Sequence, residues 1–225
     1  MPQNLTRCNK GLTQNPKRIF IPLSIVILVV VITFVTIKYF SSQSQQAQLD
    51  LLRNQIQYKS ALTATDKSKQ ILGLKSSLDG FKRVAKENSF TSPGKIAGVY
   101  AGDCYYHLNQ YDDAIKAYRE AINKGAPKLP AAWAQMSIGY CYLSLSNYTS
   151  ALSEFEKVTK SYPESFLVPS AKLQMGFCYE KQNDKARARE IYQSVIKTYP
   201  DSTLKNEAEA KLAALSEDNA NPTSG

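Results

Sequence analysis

The sequence predicts an all-α chain, in which an N-terminal transmembrane helix is followed by a solenoid of antiparallel helix pairs. Two observations support this class: an uncharged apolar run from Ile19 to Ile37, and a residue pattern that recurs every 37 positions in the second half of the chain. The composition agrees, because 43% hydrophobic and 21% charged residues are near globular averages. A chain of 225 residues has room for one domain and an anchor.

The apolar run has the length of a membrane span, since about 20 apolar residues cross a bilayer as a helix. We predict a transmembrane helix over residues 19–40, with Tyr39 and Phe40 at the membrane interface. A cleaved signal peptide is the alternative, but its apolar core is normally shorter and is followed by a small-x-small site. We therefore expect an uncleaved, single-pass anchor.

Basic residues are concentrated before this run, where residues 1–18 contain Arg7, Lys10, Lys17 and Arg18 and no acid. The positive-inside rule then places this basic tail in the cytoplasm and residues 41–225 across the membrane. The net charge is +9, yet the chain from Lys95 onward has 15 basic and 15 acidic residues. Because a nucleic-acid-binding domain would carry a basic stripe, we expect no nucleic-acid partner.

Small and aromatic residues recur with a period of 37 in three successive units of the chain. The glycine column is Gly102, Gly139 and Gly176, and the large aromatic column is Tyr118, Phe155 and Tyr192. Further columns are Tyr105, Tyr142 and Tyr179, and Ala114, Ala151 and Ala188. Each unit is predicted to form two helices joined by a turn, at about 95–108 and 111–124 in the first unit. Asn109, Ser146 and Asn183 occupy the turn and are expected to be N-cap residues.

The segments that flank these units are predicted separately. Residues 204–215 match the first helix of a fourth unit and are expected to cap the solenoid of residues 95–215. Residues 216–225 are expected to be a disordered tail. The apolar residues of 41–94 follow a helical spacing. They are compatible with a degenerate first helix pair, or with a helical stalk that dimerises.

These columns resemble the tetratricopeptide repeat (TPR), with a G-x-x-Y pattern followed by A-x-x-x-Y/F and then proline. The family's repeat has 34 residues, and the Tyr-Pro-x-Ser links at 162–165 and 199–202 resemble those of bacterial envelope members. Such members include ancillary translocon subunits, outer-membrane assembly lipoproteins and the Tol-Pal-associated division coordinator. The resemblance implies an anchor in the inner (cytoplasmic) membrane and a periplasmic repeat domain.

The resemblance also implies that a partner binds the concave face, which the first helix of each pair lines. The candidate groove residues are Val99, Asp103, Tyr106, His107, Trp133, Met136, Tyr140, Leu143, Leu173, Phe177, Glu180 and Lys181. Aromatic and apolar residues dominate this set, as in the cores of protein interfaces. We expect a protein or peptide partner and no small-molecule substrate.

No catalytic or cofactor motif is present in the sequence. The single histidine, His107, excludes a zinc site made of several imidazoles, and no metal site or cofactor is expected. Cys104, Cys141 and Cys178 also follow the 37-residue period, and we predict buried free thiols. We therefore expect that the protein is not an enzyme. We expect an adaptor or scaffold that has either a chaperone-like role or a dedicated partner. The alternative is a self-assembling scaffold that dimerises through residues 41–88.

Overall fold

The computed structural model describes the backbone of residues 16–220 and the side chains of residues 23 and 25–216. Within this part the chain is helical and contains no strand, as the sequence predicts. The predicted basic tail lies outside it except for its last residues. The chain divides into two compact units, residues 1–46 and 47–225. The helices are α1 (Pro16–Leu62), α2 (Lys67–Glu87), α3 (Ser92–His107), α4 (Tyr111–Asn123), α5 (Lys128–Ser144), α6 (Tyr148–Ser161), α7 (Val168–Lys181), α8 (Lys185–Thr198) and α9 (Thr203–Ala220).

The first unit contains the apolar part of α1. One helix in the described residues is long and apolar enough to cross a membrane, with a mean hydropathy of 2.2. The large apolar side chains described between Leu23 and Ile37 are each at least 50% exposed. The hydroxyl groups of Thr33 and Thr36 donate to carbonyl oxygens within the helix. An apolar surface on all sides with internally satisfied polar groups is the pattern required of a helix in lipid.

The second unit begins with an antiparallel helix pair, formed by residues 47–62 of α1 and by α2. The Tyr58 and Phe81 rings meet edge to face at 6.1 Å, and Ala61 lies against Gly73. Phe81 then stacks on Tyr100 of α3, with ring centroids 5.1 Å apart. For residues 41–94 the sequence is compatible with either a helical stalk or a first helix pair. From residue 47 onward this segment is packed onto the repeats.

Three helix pairs follow, and in each pair an aromatic ring of the second helix packs directly against the glycine of the first helix. A Cβ atom at Gly102 or Gly176 would lie 2.5 Å from the ring of Tyr118 or Tyr192. These two aromatic side chains are 1% and 0% exposed. The close approach of ring and backbone explains the glycine column, because any larger residue would push the two helices of a pair apart.

The turns inside the pairs differ from the prediction. Asn109, Ser146 and Asn183 do not cap the second helices; they have φ values of 59°, 56° and 62°. Each lies one residue past the C-cap of the first helix, in a left-handed turn that satisfies the last carbonyl groups of that helix. The N-cap is the next residue, and the Asn147 and Asp184 side chains accept backbone N–H groups there.

The C-terminal helix α9 packs on the last repeat. Ala208 is fully buried and packs with Leu173 and Tyr192, whereas Ala213 in the glycine column is exposed, since no second helix among the described residues covers it. The helix extends to Ala220, five residues past the predicted end of the solenoid. That part of the predicted disordered tail is therefore helical, and residues 221–225 lie outside the described part.

The buried carboxylate of Glu154 links α6 to α4, the second helix of the preceding pair. Glu154 is 4% exposed, and its oxygens lie 3.0 Å from Arg119 of α4 and from Lys157 of its own helix. The Gln135 side-chain amide donates to the same group. This ion pair network stabilises Glu154, because a carboxylate without cations or donors would be costly to bury.

Candidate functional site

The concave surface is formed by the first helices of the pairs. In the described part, α3 contacts α5 and α7 contacts α9, whereas the second helices α4, α6 and α8 make no comparable contacts with one another. The layer whose helices lie closer together is the inner layer of a curved solenoid. The face of α3, α5 and α7 that points away from the second helices is therefore the concave groove.

Three of the predicted groove residues are buried in the cores between units. Val99, Met136 and Leu173 are 3%, 2% and 3% exposed. Each lies three residues before a repeat glycine and packs against its own second helix and the next first helix. They hold successive units together and offer almost no surface to a partner. The sequence spacing alone could not separate this column from the adjacent groove columns.

The other nine predicted residues lie at the surface or partly buried. Trp133 is 47% exposed, and Tyr106, Tyr140, Leu143 and Phe177 are partly exposed. The Tyr140 ring is held edge-on against Phe155 at 5.6 Å. The structure thus brings aromatic side chains from three successive units to one face.

The polar members of the set are His107, Lys181, Asp103 and Glu180. The first two are exposed and the two acids are partly buried. His107 packs against the Tyr106 ring at 5.6 Å, and burial lowers its pKa.

A hydrogen bond between a groove acid and a buried tyrosine occurs in the first and third units. The Tyr118 hydroxyl donates to Asp103 Oδ1 at 2.6 Å, and the Tyr192 hydroxyl donates to Glu180 Oε2 at 3.0 Å. The middle unit has Phe155 in the same column, which has no hydroxyl. Sequence reasoning missed this pairing, although the alternation of Tyr, Phe and Tyr with an acid in the first and third units signals it.

Asp103 has an unusual electrostatic environment for a groove residue. The nearby Trp133 side chain favours its charged form, but burial has the larger effect and raises the pKa of Asp103 to about 6. The same charge contributes to raising the pKa values of the Tyr58 and Tyr100 hydroxyls. In the described residues no Lys or Arg neutralises this carboxylate. The first unit therefore presents an acid surrounded by aromatic side chains.

The far end of the groove has a different character. The Phe177 ring lies between two ammonium groups, with Lys181 Nζ at 5.3 Å and Lys211 Nζ at 5.2 Å from its centroid. A shallow cavity of about 170 Å³ opens beside it, lined in part by Glu207 of α9. Cationic and aromatic groups thus meet where α7 faces α9.

The repeat cysteines are not chemical groups of this surface. Cys104, Cys141 and Cys178 are free and fully buried. Burial raises the pKa of each thiol to about 12. A thiol at such a pKa stays protonated at neutral pH and is a poor nucleophile. Their regular spacing reflects a small buried position next to the glycine column, and Cys8 lies outside the described residues.

A larger cavity of about 1100 Å³ lies on the outer side, where α2, α3 and α4 meet. Six basic and four acidic side chains line it, and four of these form the exposed pairs Lys124–Glu120 and Lys116–Asp113. This mixture gives the cavity no dominant charge. Among the described residues no group of three or more potential metal ligands is present.

Comparisons with known proteins agree with this geometry. Two family models described as tetratricopeptide repeat match residues 80–132 and 101–166, and residues 170–202. Together they cover slightly more than half of the chain. No curated protein matches the sequence.

Several solved structures share the fold. The TPR protein YrrB, described as having an unusual peptide-binding site, is 16% identical with a TM-score of 0.50 over 67% of this chain and 71% of that one. The MamA RS-1 ArsTM double mutant is 14% identical with a TM-score of 0.56, over 76% and 86%. A putative kinesin light chain of Podosopora anserina is 12% identical with a TM-score of 0.56, over 75% and 87%.

The family matches, the 37-residue period and the glycine-to-ring packing of each pair all indicate the same fold. TPR proteins are generally interaction modules for other proteins rather than enzymes. The chain belongs to the tetratricopeptide repeat family.

Proposed function

We propose that the protein is a membrane-anchored adaptor of the bacterial cell envelope, which binds a peptide segment of another protein in its concave groove. The observation that carries this proposal is the row of partly exposed aromatic side chains from three units: Tyr106, Trp133, Tyr140 and Phe177. Such residues favour interface cores, because they bury much area with few rotatable bonds. The likeness to YrrB, which is described as a peptide-binding TPR protein, is consistent with it.

The anchoring part of the proposal rests on the apolar helix and its flanks. An exposed apolar helix surface of this length is stable in lipid and not in water. Basic residues before it favour a cytoplasmic N-terminus and a periplasmic solenoid in the inner membrane. The Tyr-Pro-x-Ser links resemble those of envelope proteins, so the proposed partners are exported or envelope-assembly proteins.

The test compares two single substitutions of exposed aromatic residues. Trp133→Ala removes a 47% exposed ring from the groove, and Phe166→Ala removes a 68% exposed ring from the loop between α6 and α7. Tagged full-length protein is purified from its own cells in mild detergent, and co-purifying proteins are quantified by mass spectrometry. We expect Trp133→Ala to lose the main partner at least tenfold, because exposed tryptophans are frequent hot spots.

The Phe166→Ala control tests whether the loss of the partner is specific to the groove. Phe166→Ala should retain the partner at the wild-type level, since Phe166 lies in the loop before α7 and is not one of the predicted groove residues. Equal retention by both variants would contradict a groove interface. Equal loss would show that the partner contacts the solenoid as a whole or that both variants unfold, which circular dichroism distinguishes.

A self-assembling scaffold is the second candidate, and one observation favours it. Leu49, Leu52 and Ile56 lie on one face of α1 and are 51%, 50% and 62% exposed. This apolar stripe suits an isologous contact with a second copy. The mass of the full chain in nanodiscs tests it: a dimer that becomes a monomer on Leu52→Glu supports self-assembly, and a wild-type monomer excludes it.

A further inference from the structure

Asp103 is a partly buried acid of the groove, and an apolar peptide would leave its charge without a partner. Its carboxylate accepts a hydrogen bond from the Tyr118 hydroxyl at 2.6 Å, but no cation of the described residues pairs with it. Carboxylates that are removed from water are normally paired, because desolvation of an unpaired charge is costly. The Tyr118 hydroxyl orients the carboxylate without neutralising it.

The surroundings of Asp103 narrow down what could neutralise it. The hydroxyls of Tyr58 and Tyr100 are close enough for its charge to raise their pKa values. Trp133, which lies near Asp103, remains 47% exposed on the groove. Aromatic faces attract cations, and a bare carboxylate attracts them more strongly. Together, the aromatic side chains and the carboxylate favour an elongated cation. Its stem can pack along the rings, and its charged end can pair with the carboxylate.

Resting on the proposed function, we infer that the groove around Asp103 binds an arginine or lysine side chain of the partner peptide. The basic group would pair with the carboxylate, while its methylene stem and head pack on Trp133 and the neighbouring tyrosines. The far end of the groove differs, since Lys181 and Lys211 contact the Phe177 ring there and the acids Glu180 and Glu207 lie in the same region. A basic side chain of the peptide would therefore be held at the first unit, which would fix the position of an extended peptide in the groove.

The test uses the full-length protein in nanodiscs and a phage-displayed library of random twelve-residue peptides, after depletion on empty nanodiscs. We expect the selected peptides to share one position that is Arg or Lys, among apolar and aromatic neighbours. A synthetic selected peptide and its norleucine variant at that position are then measured by fluorescence anisotropy. The norleucine peptide should bind at least tenfold more weakly.

The protein variant Asp103→Asn completes a double-mutant cycle. Asparagine keeps an oxygen that can accept the Tyr118 hydroxyl, so the fold is expected to persist, as a thermal melt would verify. On this variant the basic and norleucine peptides should bind equally. The matched control Asp79→Asn changes an exposed aspartate of α2 and should retain the full preference. Should Asp103→Asn fail to fold, the preference of the wild-type protein for the basic peptide decides alone.

The outcomes separate this inference from the proposed function. Peptides that are enriched without a basic position, or that keep their preference on Asp103→Asn, overturn the cation site and leave the peptide groove standing. An acidic consensus also overturns it. Failure to enrich any peptide over empty nanodiscs overturns the cation site and counts against the groove itself.

Discussion

Gly139 and Phe155 show how one residue determines the distance between two helices. A Cβ atom on Gly139 would lie less than 3.0 Å from three atoms of the Phe155 ring, which is itself fully buried. The sequence identified both columns from their period, because the repeat places the same contact in every unit. It could not reveal that the ring lies directly on the glycine.

Gly139→Ala is expected to destabilise the protein. Alanine favours a helix by about 1 kcal/mol over glycine, but overpacking a filled core costs typically about 1–3 kcal/mol. Because three ring atoms lie within 3.0 Å of the new Cβ, we expect the upper part of that range, about 2–3 kcal/mol. The net loss should then be about 1–2 kcal/mol, measured by urea unfolding of the full chain in detergent. Phe155→Leu in the same chain should recover part of it, and an unchanged midpoint for Gly139→Ala would contradict the close approach.

Asp103 illustrates a residue whose role depends on contacts that no sequence spacing shows. Its place on the first helix of a pair could be predicted, but the hydrogen bond from Tyr118 of α4 could not, since that donor lies 15 positions away in the chain. Burial raises its pKa from an ordinary 3.8 to about 6. Such a group favours the folded state fully at acid pH, and this contribution is lost as the pH rises through about 6.

Asp103→Asn should therefore stabilise the protein at pH 7.5. The expected gain in free energy of unfolding is up to about 3 kcal/mol, from two pKa units at about 1.4 kcal/mol each. Near pH 4 the difference should nearly vanish, because the folded protein then carries a neutral Asp103. Denaturant titrations at both pH values measure it. A variant that is less stable than the wild type at pH 7.5 would contradict an unpaired carboxylate.

At the scale of elements, the prediction from the 37-residue period is wrong in the turns between the two helices of each pair. Asn109, Ser146 and Asn183 were expected at N-caps, where short polar side chains are common, but the same residues also favour left-handed turns. The choice between the two roles depends on a shift of one residue. Helix ends cannot be located that closely from periodicity, whereas the helices themselves and the cap α9 could be.

Ser146→Gly is expected to stabilise the turn between α5 and α6. Serine at a φ of 56° is strained, and glycine relieves about 1 kcal/mol of that strain. The matched control, Ser153→Gly, lies exposed within α6 and should cost about 0.5–1 kcal/mol. Thermal unfolding of both variants should give shifts of opposite sign; shifts of the same sign would argue against the left-handed turn.

At the scale of the whole molecule, the chain combines an N-terminal helix that is apolar enough to cross a membrane with a repeat domain of helix pairs. The class of each part could be predicted, because composition and period are properties of the whole segment. The sequence could not show which of the predicted groove residues are exposed, since three of the twelve are buried in the cores between units. That division depends on how the units stack on one another.

The chain's own thiols can test the proposed topology. Cys8 precedes the apolar run, and the three repeat cysteines are buried with a pKa of about 12. An impermeant maleimide should therefore leave the wild-type protein unlabelled in spheroplasts and react at Cys8 after permeabilisation. Phe90→Cys, at an 87% exposed position, should be labelled in intact spheroplasts. Labelling of Cys8 without permeabilisation would reverse the proposed orientation.

The central claim is that a protein partner lies in the concave groove, and photocrosslinking in living cells tests it most directly. A photoreactive residue replaces Tyr140 in the groove or, as a control, Phe166 outside it, and mass spectrometry identifies the captured proteins. We expect adducts from Tyr140 and few from Phe166. Several exported proteins would indicate a chaperone-like role, and one dominant protein a dedicated adaptor. Capture of the protein itself alone, or the same adducts from both positions, would contradict the groove.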